Sequence, residues 1–197
     1  MKERRRVKIE VALLGAAAVG KTSIVRRFSS GAFIHEYTPT VEEYYTCVLR
    51  CKRRVVLLSI TDMSGCFHFP VMRKLAINRA EAFVIVFSVE NSQSFEEVRK
   101  MLDDVLRERQ NECIPIMIVG NKNDTRERII SPDDVLQLIG ENSTANCKLN
   151  YIETSAKEDI NIANIFQGLV NLLVAQEFPK HNRKEQFNVL NRKCTIL

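Results

Sequence analysis

The segment GAAAVGKT, residues 15–22, is the strongest indication of the fold. It matches the pattern G-x-x-x-x-G-K-[ST], whose end glycines let the backbone turn so that successive N–H groups face phosphates. Lys21 would then reach the β and γ phosphates, and the Thr22 hydroxyl would ligate Mg²⁺. The pattern needs a strand before it and a helix after it, and VKIEVALLG (7–15) predicts the strand, with a helix over 21–30. A small-residue turn with an exposed lysine is the weaker alternative.

Outward from this loop, short apolar runs alternate with longer segments of helical spacing. Residues 44–50 and 55–61 are rich in β-formers and flank CKRR, so they predict a hairpin and an antiparallel edge. AFVIVFS (82–88) and IPIMIVG (114–120) are almost continuously apolar, as strands buried on both faces of a parallel sheet are. The order predicts a doubly wound α/β fold: a mostly parallel, six-stranded sheet with one antiparallel edge strand and helices on both faces.

The later helices are predicted by apolar spacing and by capping residues. Residues 91–109 carry apolar side chains at helical spacing, which core packing explains most simply. Ser131 followed by Pro132 predicts the start of the next helix. A last strand over 149–155 and a last helix over 162–178 precede a polar tail.

Composition and charge favour one soluble, intracellular domain with two basic ends. Hydrophobic residues make up 45% of the 197-residue chain and charged residues 27%, and no apolar run is long enough for a membrane span or signal peptide. Residues 1–8 and 180–197 each carry five basic groups and one acidic group. We therefore divide the chain into a basic extension (1–5), a domain (6–178) and a flexible basic tail (179–197). The basic ends suit a membrane leaflet or nucleic acid, or are simply solvated termini.

The six cysteines show no C-x-x-C pair and no metal-ligand spacing with the three histidines. Reduced thiols in a cytosolic protein fit this pattern best.

A second motif, NKND at residues 121–124, follows the buried strand IPIMIVG at its carboxyl end, where ligands of such sheets bind. Asp124 can accept two hydrogen bonds from guanine, a pattern that adenine cannot offer, and Lys122 can lie along the base. Asn121 would tie this loop to the phosphate loop. These residues predict guanine rather than adenine.

Taken together, the motifs resemble those of the Ras superfamily of small GTPases. In order they are GAAAVGKT, Thr40, DMSG (62–65), NKND and ETSAK (153–157). The resemblance covers residues 6–178 and implies the P-loop NTPase (small G protein) fold, with GTP or GDP and Mg²⁺ as ligands. The nucleotide-binding residues it implies are Gly15, Ala16, Ala17, Ala18, Val19, Gly20, Lys21, Thr22, Ser23, Phe33, Thr40, Asp62, Gly65, Asn121, Lys122, Asp124, Ser155, Ala156 and Lys157.

The resemblance also implies a two-state switch. Thr40 would meet Mg²⁺ and the γ-phosphate, Gly65 would meet the γ-phosphate through its backbone, and Asp62 would support the metal through water. The metal set is therefore Thr22, Thr40 and Asp62. Losing the γ-phosphate would release the loops around Thr40 and Gly65.

YTPTVEEYY (37–45) is similar to the effector segment of the Ras branch rather than those of Rho, Rab or Arf proteins. The implied effector residues are Tyr37, Thr38, Pro39, Thr40, Val41, Glu42, Glu43, Tyr44 and Tyr45. The implied partners are effector proteins, an exchange factor and a GTPase-activating protein. The protein is expected to be a monomer and not to bind nucleic acid. DMSGCFHFPVMRKLAI resembles the Dexras, Rhes and Ras-dva group.

Two positions depart from the Ras pattern, which has glycine at Ala17 and glutamine at Cys66. The glutamine orients the attacking water, and a thiol cannot copy a carboxamide's donor and acceptor roles. The Ala17 methyl would crowd an incoming arginine finger, which is worth roughly 10³ to 10⁵ in rate. The catalytic set, Ala17, Lys21, Thr40, Gly65 and Cys66, therefore predicts slow GTP hydrolysis. A partner could supply a replacement side chain, as in Rap proteins, and Cys66 could alternatively sense redox state.

The chain ends Cys194-Thr195-Ile196-Leu197, which fits C-a-a-X, and a terminal leucine favours a geranylgeranyl group on Cys194. One lipid chain often needs a second signal, which the basic groups of the tail can supply at about 1 kcal/mol each near an anionic leaflet. We expect a lipid anchor at the cytoplasmic face of a membrane, chiefly the plasma membrane. The leading function is a membrane-anchored signalling GTPase; the alternative is a non-hydrolysing, constitutively GTP-bound module.

Overall fold

The computed structural model describes residues 6–50, 55–63, 65, 70–110, 112–143, 147–177 and 192–196. Within those ranges the chain forms seven strands and five helices. Their order is β1 (Arg6–Gly15), α1 (Lys21–Ser30), β2 (Glu42–Arg50), β3 (Val55–Met63), α2 (Pro70–Arg79), β4 (Ala82–Ser88), α3 (Ser92–Glu108), β5 (Ile114–Asn121), α4 (Pro132–Asn142), β6 (Cys147–Glu153), α5 (Ile162–Glu177) and β7 (Arg192–Ile196).

The strands form one sheet in the order β6-β5-β4-β1-β3-β2-β7. β1 pairs in parallel with β3 on one side and β4 on the other, and β5 and β6 continue the parallel part. β2 runs antiparallel to β3. Strands β1 to β6 confirm the predicted six-stranded α/β sheet with an antiparallel hairpin, and β7 adds a seventh strand beside β2. Successive strands are added on opposite sides of β1. The carboxyl ends of β3 and β4, which flank β1, therefore lie on either side of the phosphate loop.

Local sequence explains most of the element boundaries. Every residue of β4 and β5 is buried, as their continuous apolar runs predict. The side chain of Asn91 caps α3 by accepting from the Ser94 N–H. Ser131 and Asp134 form a reciprocal capping box at α4, with proline in its first turn. The predicted helix over 21–30 is confirmed by α1.

Two elements were not predicted from the sequence. α2 was not predicted because its apolar residues do not form one stripe along the helix: Ala76 and Ile77 are buried, whereas Val71 and Leu75 are exposed. β7 lies within the predicted tail and pairs antiparallel with β2, so β2 is not the last strand of the sheet. The remainder of the predicted tail and the extension 1–5 lie outside the described residues.

The expectation of reduced thiols is wrong for Cys47, which is disulfide-bonded. Cys113 is exposed and is not disulfide-bonded. Spacing along the chain cannot reveal which cysteines pair in the folded chain, which explains the error.

Two apolar layers hold the sheet between the helices. One contains α1 and α5, where the rings of Phe28 and Phe166 stack 4.1 Å apart. The other contains buried side chains of α2, α3 and α4. No helix in the described ranges is both long and apolar enough to cross a bilayer. Packing in these layers holds the strands in position, and the strands in turn set the positions of the loops at their carboxyl ends.

Candidate functional site

A cleft of about 560 Å³ opens at the carboxyl ends of the parallel strands. Most of the residues predicted to bind nucleotide meet there, although they come from distant parts of the sequence. The predicted residues that line the cleft are Ala17, Ala18, Gly20, Lys21, Thr22, Ser23, Phe33, Thr40, Gly65, Asn121, Lys122, Asp124, Ala156 and Lys157. The volume and the loop-rich lining suit a small-molecule ligand with several polar groups.

The phosphate loop is shaped by glycines that no other residue could replace without strain. Gly15 has φ +145°, and a Cβ there would lie 2.2 Å from the carbonyl oxygen of Val86. Gly20 has φ +96°, and a Cβ there would lie 2.3 Å from Nδ2 of Asn121. The loop therefore turns tightly between β1 and α1, as the sequence pattern requires.

The start of α1 is suited to an anion. Gly20 provides no side-chain cap, and among the described residues the first turn of α1 carries no acidic group. The first N–H groups of a helix have no partner within the helix, and its N-terminus carries partial positive charge. Lys21 adds an ammonium group at this point, where Nζ donates to the carbonyl oxygens of Gly15 (2.9 Å) and Ala16 (2.7 Å). Phosphate groups fit this arrangement.

Three oxygen-bearing side chains meet beside the loop. Thr22 Oγ1 lies 2.8 Å from Thr40 Oγ1 and donates to Asp62 Oδ2 at 2.5 Å. The other carboxylate oxygen of Asp62 is buried and has no hydrogen-bond partner among the described residues. Burial raises the pKa of Asp62 to about 6, although the Thr22 hydroxyl and the Lys21 ammonium act in the opposite direction. An oxygen cluster with an unpaired buried carboxylate oxygen fits Mg²⁺.

Asn121 joins the loops around the cleft. Its Nδ2 donates to the carbonyl oxygen of Val19 at 2.9 Å, which is the tie to the phosphate loop that the sequence predicts. Its Oδ1 accepts from Thr154 Oγ1 (3.1 Å) and from the backbone N–H of Ala156 (3.2 Å). One buried side chain therefore connects the phosphate loop, NKND and ETSAK.

Most of the residues predicted to bind the base also line this cleft. Lys122 has φ +65° and its Nζ lies 2.6 Å from Oε1 of Glu90. The Asp124 carboxylate is 3.9 Å from Nζ of Lys157. Phe33 lines the same cleft and is half-buried. A planar base could lie among these groups, with the Asp124 carboxylate as the acceptor for ring and exocyclic N–H donors.

Sequence reasoning missed Arg27, which supports this region from α1. Its guanidinium donates to the carbonyl oxygens of Ala156 (2.8 Å) and Lys157 (2.7 Å) and lies 5.6 Å from the centre of the Phe33 ring. No motif marks this arginine in the last turn of α1, so its role depends on contacts between distant segments. Further cleft residues that were not predicted are Arg26, Ile34, His35, Glu36, Met63, Glu90 and Thr125.

Ala17 and Gly65 are adjacent. A Cβ built on Gly65 would lie 2.3 Å from the backbone nitrogen of Ala17, so the two backbones touch. Ala17 is exposed and lines the cleft. Cys66 lies outside the described residues.

Only some side chains of the predicted effector segment, residues 37–45, are exposed. Tyr37, Val41 and Tyr44 are exposed. Tyr45, by contrast, is 1% exposed, and its hydroxyl donates to the Glu43 carboxylate. The Tyr45 side chain belongs to the core, because residues alternate between the two faces of β2.

Several other predicted residues do not line the cleft. They support it from behind or lie elsewhere: Gly15, Ala16, Val19, Asp62, Ser155 and Cys194. The Ser155 hydroxyl accepts from the backbone N–H of Glu158 at 3.0 Å and so shapes the ETSAK loop. Cys194 is in β7.

Comparisons with known proteins agree with these observations. The family model described as "Ras family" matches residues 10–175. GTP-binding protein Di-Ras2 of Mus musculus is 36% identical over 198 residues, which cover 95% of this chain and 96% of the relative. GTP-binding protein drn-1 of Caenorhabditis elegans is 40% identical over 166 residues (82% and 74%). GTP-binding protein Rhes of Homo sapiens is 34% identical over 171 residues (81% and 62%).

Proposed function

Because this chain belongs to the Ras family of small GTPases, we propose that it is a GTP/GDP switch that hydrolyses GTP slowly and acts at a membrane. The observation that carries the nucleotide assignment is the set of Asn121 hydrogen bonds, which hold the phosphate loop and both base loops around one cleft. The Dexras, Rhes and Ras-dva subgroup stays a prediction, since Rhes and Di-Ras2 are similarly identical to this chain, at 34% and 36%.

The residues on the phosphate side would hold the triphosphate and its metal. The backbone of 15–22 and the N-terminus of α1 would donate hydrogen bonds to the phosphates, and Lys21 would exchange its carbonyl partners for phosphate oxygens. Thr22 and Thr40 would ligate Mg²⁺, with Asp62 acting through water. The metal supplies charge neutralisation on the phosphates.

On the base side, Asp124 would select guanine and Lys122 would lie along the ring. Phe33 would pack against one side, and the 155–157 loop would close over the other. Arg27 would act indirectly, since its two bonds to that loop limit how far the loop can open.

Effector binding follows from the position of Thr40 and its neighbours. The Thr40 hydroxyl lies 2.8 Å from that of Thr22, and along the chain Thr40 stands between the exposed residues Tyr37 and Val41. A nucleotide that holds Thr40 would therefore order the surface beside it, and loss of the γ-phosphate would release that surface. We assign effector contact to the exposed part of 37–45 and leave Tyr45 to the core.

Slow hydrolysis is supported by the surroundings of Ala17. Ala17 is exposed, lines the cleft and touches the backbone of Gly65, which directly precedes the position where Ras proteins carry glutamine. Hydrolysis depends on positioning of water and on stabilising charge, whereas binding depends on the loop backbone and the metal. We therefore expect tight nucleotide binding together with slow turnover.

Single-turnover GTP hydrolysis tests this proposal. The Ala17→Gly, Cys66→Gln double variant should hydrolyse GTP faster than the native chain, with a further increase when a GTPase-activating protein is added. Cys113→Gln is the matched control, because it places glutamine at an exposed cysteine that does not line the cleft, and it should leave the rate low. Equal rates in the native chain and the double variant would contradict the proposal.

The nucleotide that copurifies with the whole chain distinguishes the slow switch from the alternative, a non-hydrolysing module. Mostly GTP, together with no turnover when cell extract is added, would favour the module. Stimulated release of phosphate would favour the slow switch.

Lipidation of Cys194 would place this switch at the cytoplasmic face of the plasma membrane, aided by the basic tail. Cys194→Ser should move the protein from the membrane fraction to the soluble fraction, whereas Cys113→Ser should not. A Cys194→Ser protein that still sediments with membranes would contradict the anchor.

A further inference from the structure

β7 places two cysteines directly opposite each other. In the antiparallel β2–β7 ladder, Cys47 is the register partner of Cys194, between the pairs Thr46–Thr195 and Val48–Lys193. Opposite residues in such ladders have Cα atoms about 4.5–5.5 Å apart. A disulfide spans Cα separations of about 4.4–6.8 Å, so the register meets the distance requirement.

Cys47 itself supplies a second observation. It is fully buried within the apolar layer that contains α1 and α5, and it is disulfide-bonded. Residues that are opposite each other in a ladder lie on the same face of the sheet. Cys194 therefore occupies the register position from which a partner for Cys47 is expected.

We propose that Cys47 and Cys194 form a reversible disulfide, which prevents lipidation of the C-terminal C-a-a-X segment until it is reduced. This inference rests on the proposed function in taking Cys194 as the prenylation site. A sulfur atom in a disulfide cannot form the thioether to a prenyl group, so the two modifications exclude each other. The same strand pairing engages the backbone of 192–196, which must leave the sheet before an enzyme can bind it in extended form.

The oxidation balances with hydrogen peroxide as the oxidant. One thiolate attacks a peroxide oxygen to give a sulfenic acid, and the released hydroxide takes up a proton to become water. The other thiolate then attacks the sulfenic sulfur and forms the disulfide, and a second water leaves. Two thiols are oxidised and one peroxide is reduced to two waters. A dithiol reductant reverses the change by thiol–disulfide exchange.

Such a bond is consistent with a cytosolic protein, where disulfides are usually transient and responsive to redox state. Oxidised protein would carry its C-terminal segment on the sheet edge, and reduced protein would release it for prenylation. The consequence is a switch in membrane attachment that is separate from the nucleotide cycle.

The test uses the full-length chain, treated either with hydrogen peroxide or with a phosphine reductant. Peptide mapping without reduction should link the peptide containing Cys47 to the peptide containing Cys194 in the oxidised sample. Transfer from geranylgeranyl diphosphate by a type I geranylgeranyltransferase should occur with the reduced chain. It should be lost with the oxidised chain and return after reduction.

Variants distinguish this disulfide from general oxidation of thiols. Cys47→Ser, and Cys47→Ala in case the serine is poorly tolerated in the core, should remain prenylated after peroxide treatment. Cys113→Ser should behave like the native chain. A link from Cys47 to any other cysteine, or equal prenylation of oxidised and reduced chains, would overturn the proposal. If the reduced chain is not prenylated, the lipidation assignment fails, and the peptide map then decides the disulfide alone.

Discussion

Replacing Asn121 by alanine should reduce stability and nucleotide affinity together, because its buried side chain joins the phosphate loop and the ETSAK loop to NKND. The variant loses the hydrogen bonds to Val19, Thr154 and Ala156 at 2.9, 3.1 and 3.2 Å. At about 0.5–1.5 kcal/mol net for each bond, the free energy of unfolding should fall by roughly 1.5–4.5 kcal/mol. For a loss near 3 kcal/mol, a domain of this size should melt about 6–12 °C lower.

Urea denaturation of the nucleotide-free and GDP-loaded protein measures the loss. The loss should be larger in the loaded protein, since a looser phosphate loop also binds GDP less tightly. Asn123→Ala is the matched control: it makes the same truncation two residues away, at a side chain whose Oδ1 has no hydrogen-bond partner among the residues described. If Asn121→Ala costs no more than Asn123→Ala, Asn121 does not connect the loops in the way described above.

Three further outcomes are expected. Gly15→Ala should lower soluble yield and stability by more than about 3 kcal/mol, since its Cβ would lie 2.2 Å from the Val86 carbonyl oxygen, in a backbone conformation that L residues rarely adopt. Gly140→Ala, its control in α4 with nothing within 4 Å, should instead gain up to about 1 kcal/mol in urea denaturation; a loss there would contradict the space assigned to it. The hydrogen bonds from Arg128 lower the pKa of Glu153, so this stabilisation is present above the unfolded pKa and is lost as pH falls through the folded one. Glu153→Gln should therefore cost about 0.5–1 kcal/mol at pH 7 and progressively less as the pH falls below the unfolded pKa, and a cost that does not change with pH would refute the assignment.

Much of the fold could be predicted because its signals are local. The phosphate loop, the hairpin, the apolar strands β4 and β5 and the capped start of α4 each depend on residues that are adjacent along the chain. The identity of the base also has a local signal, since NKND follows directly on a buried strand. The predicted and observed bounds of these elements differ by only a few residues.

The elements that were missed depend on distant partners. The apolar residues of α2 do not form one stripe, and Arg27 has no motif around it. The burial of Tyr45 follows from the register of β2 rather than from the segment 37–45 itself. Prediction of these features would require knowing which surfaces face each other.

The strand–loop–helix that can hold phosphates, the residues that can recognise guanine, the tie from Asn121 to the phosphate loop and the substitution at Ala17 are all legible in the amino-acid sequence. The folded chain adds the bonds from Asn121 to Thr154 and Ala156 and the pairing of β7 with β2, which sets Cys47 opposite Cys194. The difference depends on how far apart along the chain the interacting residues are. Backbone turns and side-chain periodicity are set by neighbours along the chain, whereas sheet register and cross-loop hydrogen bonds form only when segments far apart in sequence pack together.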